Sequence, residues 1–131
     1  MSERQQLTQL VELAGVASKV ALMDLANAIQ NEKRLRASLD QLVAALHDRA
    51  AFSIETTDTA LMGGADVNWQ VWVEKQRGAI NQELARCLVE QERLRLIASQ
   101  MQGREQVAIA IRNRKVIEAC LASRRKADYT S

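Results

Sequence analysis

The sequence predicts an all-α fold, a long antiparallel two-helix coiled-coil hairpin, on three observations. The chain of 131 residues has no proline and only 3% aromatic residues, a composition that disfavours a compact sheet-rich core. From Trp69 to Ala127 it holds two glycines, Gly78 and Gly103, among Ala, Leu, Glu, Gln, Arg and Ile, residues that lose little side-chain freedom in a helix or pack well there. Each half of the chain also carries an apolar stripe with alternating four- and three-residue spacing, which keeps one narrow seam on one side of a helix. Helices this long need a partner along most of their length, and each half supplies one for the other.

The first helix is expected over about residues 3–51. Ser2 and Gln5 have the S-x-x-Q pattern of a capping box, in which the serine accepts from an early backbone N–H and the glutamine reaches back. From Val11 the seam runs through Ala14, Ser18, Ala21, Leu25, Ala28, Glu32, Leu35, Leu39, Leu42 and Leu46. Gly15 lies beside it and weakens the helix by roughly 0.5–1 kcal/mol relative to alanine.

A loop is expected over about 52–67. Ser53, Ile54, Thr56, Thr57 and Thr59 are poor helix formers, and Gly63-Gly64 offers the positive φ at which helices end. Thr57 or Asp58 is read as the cap of a short turn through Met62, and Asp66 or Asn68 as the cap of the second helix, about 68–127. Its seam is traced through Val73, Arg77, Ile80, Leu84, Cys87, Gln91, Leu94, Ala98, Met101, Glu105 and Ala108. Folding the arms back sets Leu46 against Val73, Leu39 against Ile80, Leu35 against Leu84, Leu25 against Leu94 and Val11 against Ala108. In that register the first helix runs out near Ile117, and the segment after it projects. With no internal repeat or linker, the chain reads as one domain.

Formal charge is +2, unevenly spread. Met1 to Asp66 holds six Lys/Arg against nine Asp/Glu, and Val67 to Ser131 twelve against seven. An acidic arm beside a basic one favours antiparallel pairing and leaves the C-terminal end positive. Glu32 with Arg36, Glu90 with Arg93 and Glu92 with Arg95 are spaced as helical ion pairs. The N-terminus lacks a signal-peptide pattern and no run reaches the roughly 18 apolar residues of a membrane span, so the expected location is the cytoplasm. Cys87 and Cys120 lack metal or disulfide spacing and are read as small buried residues.

Nothing points to catalysis. His47 is the only histidine, no nucleophile constellation, phosphate-binding glycine loop or HExxH motif occurs, and no cofactor is implied. The features left for function are surfaces. Leu10, Leu13, Leu22, Ile29 and Val43 on the first helix, and Leu88, Leu96, Ile97, Val107, Ile109, Ile111, Val116, Ile117 and Leu121 on the second, lie outside the seam. They either widen it or face a further partner. Trp69 and Trp72, with Phe52, Ile54, Leu61 and Met62 nearby, either cap the hairpin or expose an anchor for recognition. Arg112, Arg114, Lys115 and Arg124, Arg125, Lys126 cluster on the projecting end, either as a solvated face or as a dock for an acidic protein surface. Base-stacking aromatics are absent there apart from Tyr129, so no nucleic acid is expected.

Trp72 at the head of the second helix, I-N-Q-E at Ile80 to Glu83, RNRK at Arg112 to Lys115, and the run from Glu118 through Arg124-Arg125-Lys126 to Asp128 follow one another in an order that resembles the second helix of the FliJ/YscO family. These are bacterial flagellar and type III secretion stalk proteins. The resemblance covers about half the chain, and the Gly-Gly loop and low glutamate content depart from it. It implies a noncatalytic cytoplasmic component peripheral to the inner-membrane export apparatus, whose open end enters a hexameric export ATPase. It further implies contacts with the cytoplasmic region of the export gate membrane protein and with escort chaperones. Under it Arg112, Arg114, Lys115, Ile117, Leu121, Arg124, Arg125 and Lys126 become candidate ATPase-facing residues, and Phe52, Trp69 and Trp72 candidate gate contacts. The rival expectation is a homo-oligomeric scaffold, two hairpins packed as a four-helix bundle without an ATPase.

Overall fold

The computed structural model describes residues 2–55 and 59–130, with side-chain surroundings for 2–51 and 67–130. Two helices make up the fold, α1 (Glu3–Glu55) and α2 (Thr59–Thr130), and the architecture is an all-α antiparallel hairpin. It consists of two units. The terminal unit comprises Met1–Ala26 and Arg93–Ser131, and the connecting unit is Asn27–Glu92.

The start of α1 follows from the capping box. Gln5 N–H donates to Ser2 Oγ at 3.2 Å and Ser2 N–H donates to Gln5 Oε1 at 3.2 Å, so two otherwise orphaned donors are satisfied reciprocally. At the other end of the chain, Thr130 Oγ1 donates to the Lys126 carbonyl at 3.0 Å. The helix runs three residues past its expected end, and the Thr130 hydroxyl adds a second donor to a carbonyl one turn back.

The expected loop over 52–67 is corrected. α1 continues to Glu55 and α2 begins at Thr59, so Gly63, Gly64, Asp66 and Asn68 lie inside α2 rather than before it. Glycine permits a left-handed turn without compelling one, and no described glycine has a positive φ. Each glycine costs a helix about 1 kcal/mol relative to alanine. The strong helix formers Ala60, Leu61, Met62 and Ala65 surround the pair, and a segment continuous with a long helix needs no new nucleus. Thr57 and Asp58, read as caps, lie outside the described residues.

The seam lies where the 4-3 spacing puts it. In the terminal unit Ser18, Ala21, Leu94, Ala98 and Ala108 are buried, and Val11, Ala14, Leu25, Met101 and Glu105 are half-buried beside them. In the connecting unit Val73, Leu84, Cys87 and Gln91 are buried, flanked by half-buried Glu32, Leu35, Leu39, Leu42, Leu46 and Ile80. The two cysteines part company. Cys87 is buried in the seam, whereas Cys120 is exposed, because it falls in a stretch of α2 where every residue from Asn113 to Thr130 is exposed.

A polar layer crosses the connecting unit. Gln91 Nε2 and the Cys87 thiol both donate to the Ala28 carbonyl, at 3.4 and 3.3 Å. Gln91 Nε2 and Asn31 Nδ2 approach Cys87 Sγ at 3.8 and 3.9 Å. Ala28 opposite Gln91 is the same register that sets Leu35 against Leu84.

Gly15 makes no use of its missing side chain. A Cβ there would sit 3.6 Å from Glu105 Oε1, an ordinary contact, and φ is negative. Gly15→Ala is therefore expected to stabilise the protein by about 0.5–1 kcal/mol. A higher urea midpoint followed by circular dichroism checks this, and a lower one would mean the Glu105 side chain cannot give way.

Candidate protein-binding surfaces

The cationic segment is built by length. α2 has 72 residues and α1 has 53. In the terminal unit Lys115 Nζ pairs with Glu3 Oε1 at 3.5 Å, so α1 ends its run beside Lys115 and α2 goes on without it. Beyond that point the helical period divides the candidate residues between two sides. Arg112, Lys115 and Lys126 continue the seam side, and Arg112, half-buried, joins Leu7, Val116 and Ala119 in an open groove beside the first turn of α1. Arg114, Ile117, Leu121 and Arg124 lie on the opposite, outward side, with Arg125 at its edge. Ile117 and Leu121 are one turn apart, exposed, and framed by guanidinium groups.

Part of this charge is neutralised locally. Glu118 accepts from Arg114 Nε at 3.4 Å and lies 3.9 Å from Lys115 Nζ. These are exposed pairs worth a few tenths of a kcal/mol, and they leave the segment cationic. Arg124, Arg125 and Lys126 are exposed.

The aromatic cluster separates. Arg49 lies over the Trp69 ring with its guanidinium carbon 4.8 Å from the centroid, a cation–π contact that half-buries Trp69. Trp72 points outward and is 52% exposed, next to exposed Val71 and near Val67. The Phe52 side chain, the third candidate gate contact, lies outside the described residues, as do those of Ile54, Leu61 and Met62.

Of the surplus apolar residues, Ile29, Ile97 and Ile109 are half-buried and widen the seam. Others face away from it. The outward side of α1 in the terminal unit carries Leu13, Val16, Val20 and Met23, each more than half exposed. Only Leu13 of these stands out when a single stripe is followed. The signal for the other three is a second 3-4-3 spacing, displaced by two positions from the seam and on the opposite side of the helix.

No helix among the described residues is long and apolar enough to cross a membrane. No protein-family model, curated protein or solved structure matches the chain.

Proposed function

We propose that the protein is a noncatalytic stalk of a bacterial flagellar or type III protein export apparatus, acting in the cytoplasm at the inner membrane. Its α2 overhang engages the ring of a hexameric export ATPase. The Trp72 side of the connecting unit meets the cytoplasmic region of the export gate, and escort chaperones are received along the hairpin. One observation carries the reading. Past Lys115, where Glu3 at the start of α1 makes its ion pair, α2 runs on with every described residue exposed and holds an apolar pair, Ile117 and Leu121, between Arg114 and Arg124. Exposed aliphatic side chains rimmed by guanidinium groups suit a protein surface with an apolar centre and an acidic border, since the charges steer the encounter while the buried apolar area holds it.

The order of motifs that resembles the FliJ/YscO family supports the specific setting. Reversing the charges of Arg124, Arg125 and Lys126 to glutamate tests it. Stimulation of the export ATPase by the purified protein is expected to fall at least tenfold, and the wild-type effect to weaken as salt screens the contact. Because these residues are exposed, the variant keeps its helicity. An ATPase rate unchanged by the triple reversal removes the ring contact.

A further inference from the structure

We propose that the outward face of α1 in the terminal unit is a self-association surface, on which a second copy of the chain packs in parallel with Leu13, Val16, Val20 and Met23 in register. The first support is an inversion of size. On the seam side of these turns α1 places Ala14, Ser18 and Ala21, while the solvent side of the same turns carries the bulkier aliphatic residues. A helix with a single partner carries its large apolar residues inward. The second support is that the stripe has ends. The same outward positions are Gln6 and Gln9 before it and Asn27 and Gln30 after it, so about three turns are apolar and the rest is polar.

Charge selects the occupant and its orientation. Lys19 and Asp24 flank the stripe on its two sides, both are exposed, and neither forms an ion pair among the described residues. Five positions apart, they cannot pair within their own helix. That spacing is the one at which flanking residues of two parallel, in-register helices meet, so Lys19 of each copy faces Asp24 of the other, twice per pair. An antiparallel alignment would instead set Lys19 beside its own copy with no anion to answer it. An interface of three turns is at the small end of the range, so association is weak and appears at tens of micromolar rather than nanomolar concentration.

Sedimentation velocity at about 100 µM tests the surface. The wild type is expected to show dimer, and Val16→Gln/Val20→Gln to sediment as monomer with unchanged circular dichroism. Lys19→Glu and Asp24→Lys, each alone, weaken association roughly tenfold, and the double swap restores it. Orientation is read by Val16→Cys in a Cys120→Ser background, which cross-links to itself on mild oxidation only if the two Val16 positions meet. A monomeric wild type, a dimer that survives the Val16/Val20 change, or a failed cross-link overturns the proposal. The Arg124/Arg125/Lys126 reversal leaves self-association intact, so failure of the ATPase contact and failure of this surface are separate results.

Discussion

Replacing Leu84 by alanine is expected to destabilise the protein by about 2–3 kcal/mol, whereas Leu96→Ala changes stability by less than about 0.5 kcal/mol. The residue type and the helix are the same; Leu84 belongs to the connecting unit and Leu96 to the terminal unit, and the difference that decides the cost is the side of the helix. Leu84 is 9% exposed in the seam and Leu96 is 66% exposed on the outward side. Truncating a buried leucine in a compact core costs about 2–5 kcal/mol. The lower part of that range applies because a two-helix seam borders solvent on both flanks and water can refill part of the space. Urea unfolding at equal slope measures the pair. Similar shifts for the two variants would mean that burial along α2 does not follow the seam.

The second large effect comes from the polar layer, and its size depends on pH. Gln91 is 2% exposed, and its amide nitrogen faces two acceptors, the Ala28 carbonyl and the Cys87 sulfur. In Gln91→Glu a protonated carboxyl could still donate to that carbonyl, but the ionised form would set a buried charge against lone pairs. Desolvation and the facing Ala28 carbonyl both raise the folded-state pKa of the introduced acid, and the Cys87 thiol is only a weak donor against them. A raised carboxyl pKa means folding favours the protonated form. The variant should therefore be close to wild type below about pH 4.3, the unfolded value, and lose stability as pH rises from there through the folded pKa. By pH 7.5 the deficit should reach about 2–3 kcal/mol. The difference in urea midpoint between variant and wild type at pH 4 and at pH 7.5 is the readout, since other carboxylates titrate in both proteins. A deficit independent of pH would mean the carboxylate finds a donor or water in the seam.

The seam was legible because its spacing is a direct product of helical geometry. Polar members such as Ser18, Gln91 and Glu105 could be placed on it by position alone, against their own preference for solvent. The connection was less legible. Threonine and glycine propensities between Phe52 and Asn68 are differences of a kcal/mol or less per residue, and continuity with a long helix outweighs them. Cys120 was misassigned for another reason. Burial of a small residue depends on whether a second helix reaches it, and α1 stops opposite Lys115. In the candidate surfaces, cation clustering located Arg112 to Lys126, but not their division between two sides of α2. Val16, Val20 and Met23 escaped because following one stripe hides a second on the same helix.

The overhang has a kinetic consequence. From Asn113 to Thr130 the helix is held by its own backbone and a few exposed charge pairs, yet it grows from a stretch already fixed by the seam, so it bears no initiation penalty. Its amide hydrogens should exchange with solvent far faster than those near Leu94 while the average conformation remains helical. A protein that captures this end meets a recognition element already in its bound form, and loses little affinity to ordering it.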